Sequence, residues 1–314
     1  MKYTTAALSI LWCLSSCSQE VIHKDDIVYG NATDWEGKPQ DLKLDVEYHQ
    51  GNKKLPLFLF IHGGSFLNGS KEADTKFCDR MANDGFVTAN IEYRKGFDRS
   101  STNQVGVLQA AYRAQQDVQA ALRYLVHHAA DYNIDTSWIF LSGESAGAIT
   151  SINIAYINQK EWDMVVPPAH QQLGDLSNGG NDLKDTYTIK GVVSLAGGIF
   201  DTTLISRQDA HSVPIIFFHS ENDDVIPYER ATHHDARYNT LNGPLDMANH
   251  FKNLGACYQL YFIKGAKHAR GFSQKYVAEH TEDFIKDLEK GKCSSLMKEN
   301  TSGDINRFFG GYEQ

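Results

Sequence analysis

Ser145 lies in the stretch FLSGESAGAIT (residues 140–150), with Gly143 and Gly147 two positions to either side. A serine hydroxyl is a poor nucleophile until a base takes its proton, and it must also stand clear of its own backbone. A sharp turn from a strand into a helix lifts it clear, and the crowding at such a turn admits only small residues at those flanking positions. The apolar WIFLS before the motif reads as a buried strand, and AGAITSINIAYI after it reads as a helix. Three further stretches carry complementary chemistry. FIHGGSF (60–66) ends an apolar run in two glycines, where backbone NH groups can face a developing negative charge, and the helix starting after Ser145 adds the NH of Ala146. HSENDDVIP (219–227) offers Asp223 and Asp224 on a turn after another apolar run, and KGAKHARGF (264–272) offers His268 after a third. A nucleophile, an acid and a base in that chain order, each following a separate strand, meet at one edge of a parallel sheet.

The surrounding pattern supplies such a sheet. LPLFLFIHGG (55–64), FVTANIEYR (86–94), WIFLSG, IKGVVSLAG (189–197), VPIIFFHS (213–220) and CYQLYFI (257–263) are apolar, β-branched or aromatic runs, while LKLDVEYH (42–49) alternates as an early edge strand would. Between them, KEADTKFCDRMANDG predicts a helix closed by Gly85. The segment from Gln104 to Tyr132 puts Val107, Ala111, Ala114, Val118, Ala121, Leu122, Leu125 and Val126 on one helical stripe, and a last helix is expected from about Ser273 to Lys290. Strands separated by helices need crossovers, so the sheet is expected to be mostly parallel with helices on both faces, an α/β fold. Residues 158–186, with Pro167, Pro168 and SNGGND, break the rhythm and are expected as an insertion or lid over the carboxyl edge. GGIFDTTL (197–204) and the region of Trp162 are candidate walls of the pocket.

Composition excludes other classes of partner. The 314 residues, 41% hydrophobic, suffice for one large domain, expected over 41–314. A net charge of −9 without clustered Lys and Arg argues against a nucleic-acid partner. MKYTTAALSILWCLSSCS has the pattern of a secretory signal, expected over 1–16 and too short to span a membrane. Its end, Leu14-Ser15-Ser16-Cys17, resembles the lipobox of bacterial lipoproteins. That resemblance implies lipidation of Cys17, a membrane anchor, and an exported chain held at a periplasmic or cell-surface face, with SQEVIHKDD as tether and a first strand region before residue 40. A chain that is secreted without an anchor is the alternative. Of the five cysteines, Cys78, Cys257 and Cys293 then remain, an odd number in which at most one pair can form.

With GESAG at 143–147 and HGGSF at 62–66, the chain resembles an α/β-hydrolase of the carboxylesterase type, close to type-B carboxylesterases and the hormone-sensitive-lipase group. The resemblance covers about residues 40 to 290. It implies a serine esterase that needs no cofactor, acting on a small-molecule or polysaccharide ester: Ser145 as nucleophile, His268 as base, NH groups of Gly64, Ser65 and Ala146 as the oxyanion hole, and Asp223, ahead of Asp224, as the acid. Where those families usually carry a third glycine this chain has Ser65. A polar 158–186 segment favours short or polar acyl groups, acetyl or feruloyl on carbohydrate among them. A peptidase of the prolyl-oligopeptidase type shares the order of residues, and a non-catalytic relative is a third reading. The other histidines are read as structural or solvated: His62 in its loop, His219 at a strand end, and the pairs 127/128 and 233/234 on helix faces; no metal site is expected.

Overall fold

The computed structural model describes residues 20–300 apart from 101–103, 233, 234, 236, 237 and 239. The expected signal, Cys17 and the pair His233/His234 lie outside the described residues. In chain order the strands are β1 (Val21–Thr33), β2 (Pro39–His49), β3 (Leu55–Ile61), β4 (Val87–Ile91), β5 (Ile134–Glu144), β6 (Ile189–Leu195), β7 (Ile215–Ser220), the two-residue β8 (Ala231–Thr232) and β9 (Thr240–Leu241), β10 (Tyr258–Ile263) and β11 (Leu296–Asn300). The helices are α1 (Thr75–Asn83), α2 (Val105–His127), α3 (Ala146–Tyr156), α4 (Gln159–Val165), α5 (Pro167–Leu173), α6 (Arg207–Ser212), α7 (Pro244–Leu254) and α8 (Gln274–Glu289).

Nine strands form one sheet in the order β1-β2-β4-β3-β5-β6-β7-β10-β11. From β4 to β11 every neighbouring pair is parallel, and β1 and β2 close one side antiparallel. The fully apolar runs have a simple cause: both faces are covered. Leu57, Leu59 and Ile61 of β3 face the core beneath α2, α3 and α7, while Phe58 and Phe60 face the second core beneath α1 and α8. β7 repeats this with Ile215 and Phe217 on one side and Ile216 and Phe218 on the other. Period-2 alternation therefore sorts apolar from apolar, which is why these strands read as continuous hydrophobic runs. No helix among the described residues is long and apolar enough to cross a membrane.

The edges differ from the sequence reading. β2 is an inner strand, because β1 pairs along it from Val21–His49 to Thr33–Pro39. Residues 21–26 of the expected tether are thus part of the sheet. Two register shifts in β1 and the run His23-Lys24-Asp25-Asp26 hide its alternation, both devices that blunt an edge against further pairing. At the other edge the short polar β11 pairs with β10, tied there by the Cys257–Cys293 disulfide, while Cys78 is free and buried.

The 158–186 segment packs along α2. It forms α4, α5 and a 3-10 turn at Leu176–Asn178, with Trp162, Ala169 and Leu176 buried. Polar groups on the far face of α2 hold it: Gln115 accepts from the Trp162 indole NH at 2.7 Å, Gln116 donates to Leu173 O at 2.9 Å, and Arg123 donates to Gly179 O at 2.7 Å. Buried amides and guanidinium groups need such partners, so a stretch rich in turn residues becomes the cover of a polar helix face.

Candidate active site

Ser145 occupies the turn between β5 and α3 with φ 54° and ψ −115°, a strained conformation for a residue with a side chain. The strain is imposed by packing on both sides. A Cβ at Gly147 would lie 1.9 Å from Ile61 O, and one at Gly143 would lie 2.5 Å from the Gly147 carbonyl carbon. The elbow is thus pressed against the end of β3, and only glycine fits at either position. The Ser145 NH donates to Leu195 O at 2.9 Å, which fastens the turn to the end of β6.

From the next strands come the partners. His268, five residues beyond β10, places Nε2 2.9 Å from Ser145 Oγ and Nδ1 2.7 Å from Asp223 Oδ2. A carboxylate can only accept, so Nδ1 carries the proton, Nε2 is left as acceptor, and the Ser145 hydroxyl donates to it. Asp223 is buried and held in turn: Val225 NH and Ile226 NH each donate to its Oδ1 at 2.9 Å. Asp224, the other candidate, points to the surface and pairs with Lys267 at 2.9 Å. His219 is a buried strand-end residue, its Nε2 3.0 Å from Ile226 O, and burial pushes its pKa down.

Behind the elbow lie two further carboxyls. Burial pushes Glu144 well above the usual carboxylate range, with Asp74 and Asp223 adding repulsion. Burial alone pushes Asp74 up to about 7.

The loop after β3 adjoins this array, since a Cβ at Gly63 would sit 3.4 Å from Ser145 Cβ. Gly64, Ser65 and Phe66 all have positive φ, at 112°, 56° and 59°. The third-glycine position thus does take the left-handed conformation, and Ser65 adopts it with a side chain. Among the described residues the NH groups of Gly64, Ser65 and Ala146 donate to no protein acceptor. The loop is braced from beneath. His62 stacks on Tyr93 with ring centroids 4.4 Å apart, and the Tyr93 hydroxyl donates to His62 O at 3.1 Å. Glu92 is the hub: it accepts from Lys95 Nζ at 2.7 Å and Lys71 NH at 2.8 Å, and lies 3.8 Å from His62 Nε2. Burial would raise the Glu92 pKa, but His62 and Lys95 outweigh it and hold the carboxylate at about 2. Sequence reading found His62 yet missed Glu92, Tyr93 and Lys95, whose EYRK run carries no catalytic pattern.

Above Ser145 opens a cavity of about 260 Å³ walled by Phe66, Val107, Ile149, Phe200, Tyr238 and Leu241. Of the two walls expected, 197–204 contributes Phe200, whereas Trp162 stands behind it, ring centroids 6.0 Å apart. Among the described residues one group has metal-ligand spacing, His23, Glu47 and Asp79, with atoms within 4.8 Å of one another. It is remote from Ser145: Glu47 pairs with Thr88 at the start of β4, the opposite end of the parallel strands. His127 and His128 lie at the end of α2 beside Asp185 and Asp131.

The Glu92 hub makes a testable statement about stability. Its pKa is depressed from 4.5 to about 2, so its ionic ties contribute fully above pH 4.5 and fade as pH falls toward 2. Glu92→Gln is expected to lower unfolding free energy by about 1–3 kcal/mol at neutral pH. In urea titrations across pH, the gap from the wild type should narrow as pH drops below 4.5, and a gap independent of pH would refute the ionic account.

The BD-FAE family model matches residues 44–209, more than half of the chain. Gut esterase 1 of Caenorhabditis briggsae is 32% identical over 98 residues, 31% of this chain and 17% of that protein. Gut esterase 1 of Caenorhabditis elegans is 29% identical over 109 residues, 34% of this chain and 19% of that protein. The chain thus spans less than a fifth of the curated relatives it matches. Among solved structures, Thermogutta terrifontis esterase 2 phosphoramylated by tabun superposes with TM-score 0.56 at 18% identity, covering 91% of this chain and 100% of that one. Esterase B from Lactobacillus rhamnosis, inhibited by a tributyrin phosphonate, gives 0.57 at 15% identity over 86% and 87%. A truncated carbohydrate esterase from gut microbiota gives 0.55 at 16% identity over 88% and 99%. A nine-stranded, mostly parallel sheet with helices on both faces and these likenesses make the fold an α/β-hydrolase, and the chain is a member of the BD-FAE family.

Proposed function

We propose that the chain is a serine esterase working through Ser145, His268 and Asp223. The observation that carries this reading is the continuous chain of hydrogen bonds from Ser145 Oγ to His268 Nε2 at 2.9 Å and from His268 Nδ1 to Asp223 at 2.7 Å. His268 takes the hydroxyl proton as Ser145 attacks the ester carbonyl carbon, then gives it to the departing alcohol as the tetrahedral intermediate collapses to an acyl-enzyme. Water, deprotonated by the same imidazole, attacks the acyl carbonyl carbon, and the imidazolium returns that proton to Ser145 Oγ as its bond to the acyl carbon breaks and the acid leaves. NH groups of Gly64, Ser65 and Ala146 receive the oxyanion at each tetrahedral stage. No step calls for a cofactor.

The substrate is proposed to be an ester of short or polar acyl character on a carbohydrate, acetyl or feruloyl groups being examples. The apolar walls of Phe66, Val107, Ile149 and Phe200 suit an uncharged acyl group and reject a charged one. The similar proteins, two gut esterases and a carbohydrate esterase, fit ester hydrolysis. Purified chain is expected to hydrolyse a p-nitrophenyl ester series, and Ser145→Ala to lose at least about a thousandfold in kcat/KM. Cleavage of an aminoacyl-proline substrate without ester cleavage would instead assign a peptidase.

We also propose that the chain is exported and anchored by a lipidated Cys17. In support, the Cys257–Cys293 disulfide is of a kind that persists outside the reducing cytosol. Cys17→Ser expressed in a bacterial host should move the chain from the membrane to the soluble fraction; an unchanged membrane fraction would refute the anchor.

A further inference from the structure

A second cavity, of about 500 Å³, opens beside the one above Ser145. The two share a wall. Val105 and Gly106 at the start of α2 line the second and Val107 lines the first, while Phe97 of the second meets Tyr238 of the first edge-on, ring centroids 6.3 Å apart. The chemistry changes across that wall, from apolar to mixed. Trp35, from the turn joining β1 and β2, is 43% exposed and lines the second cavity. Its ring lies against Gly96, where a Cβ would come within 2.1 Å of the indole.

Arg113 of α2 braces this arrangement by donating from NH2 to Gly96 O. Arg113 is only 4% exposed, it lines the cavity, and its Nε has no hydrogen-bond partner among the described residues. A buried guanidinium NH without an acceptor is costly and marks a place where a ligand oxygen would be stabilising. Gln109 and Gln172 join at 2.7 Å on the same wall, which engages one donor and one acceptor and leaves the Gln109 oxygen and Gln172 NH2 with further capacity. Asp98 adds a carboxylate.

One negative and one positive side chain nearly cancel, so neither an anion nor a cation is favoured there. An exposed indole face beside separate donors and acceptors suits a neutral ring with a C–H face and hydroxyls that both give and accept protons. The negative face of the indole attracts the polarised C–H groups of a pyranose, and hydroxyls match Arg113, the two glutamines and Asp98.

We propose that this cavity is a sugar subsite, which holds the carbohydrate on the alcohol side of the scissile ester while the cavity above Ser145 takes the acyl group. The proposal rests on the esterase reading and gives it a direction: the enzyme recognises the oligosaccharide as well as the acyl group. Xylotriose and its chemically acetylated form are suitable probes. Titration calorimetry of the full chain with xylotriose should show saturable binding that Trp35→Ala and Gln109→Ala abolish or weaken. Trp35 is exposed, so its removal tests the cavity without emptying the core. The ratio of kcat/KM on acetylated xylotriose to that on p-nitrophenyl acetate should fall about tenfold or more in Trp35→Ala, through KM. Absence of xylotriose binding, or binding and ratio unaltered in Trp35→Ala, would overturn the subsite. If the wild type hydrolyses neither ester, the esterase reading fails instead, and calorimetry alone decides the subsite.

Discussion

Everything at the carboxyl edge depends on one steric constraint, the contact of the β5–α3 turn with the last carbonyl of β3. With Ile61 O only 1.9 Å from where a Gly147 Cβ would stand, the helix start and the neighbouring strand end are in backbone contact. That contact forces Ser145 to φ 54° and brings the HGGS loop alongside the hydroxyl. A larger residue at 143 or 147 would separate strand from helix and move Ser145 and the HGGS loop apart together. Strain at Ser145 is sustained because β3, β5 and β6 all grip the turn and are themselves buried on both faces.

Charge is arranged to the same end. The imidazole of His268 has a buried, doubly NH-bonded carboxylate on one side and a hydroxyl on the other. Glu144, directly before Ser145, is pushed toward its neutral form by burial, with Asp74 and Asp223 adding repulsion. On the opposite flank Glu92 remains ionised and ties Lys71, Lys95 and His62 into the base of the HGGS loop. Two carboxyls a few elements apart thus have pKa values shifted in opposite directions, set by whether cationic partners are within reach.

The sequence disclosed those parts whose cause is local. Gly143, Ser145 and Gly147 announce the elbow because only small residues survive a backbone contact, and the central strands announce themselves because covering both faces demands apolar residues throughout. Asp223 and His268 are legible because each follows a buried strand by a short turn. What stayed hidden depends on packing at a distance. The edge strand β1 looks like a polar tether since an edge carries charge and bulges by necessity. Gln115, Gln116 and Arg123 look like a solvated helix face, yet the 158–186 segment covers them and satisfies their hydrogen bonds. The Glu92 hub assembles from three loops and leaves no spacing to read, and the pairing of Cys257 with Cys293 needs the adjacency of β10 and β11.

The most direct test of the account is covalent trapping of the nucleophile. An organophosphate ester incubated with the purified chain should label it at one site per molecule, with peptide mass spectrometry placing the phosphoryl group on Ser145. The rate of labelling should collapse in His268→Ala, because the hydroxyl then has no base. Label on another residue, or labelling of Ser145 at an undiminished rate without His268, would contradict the proposed relay.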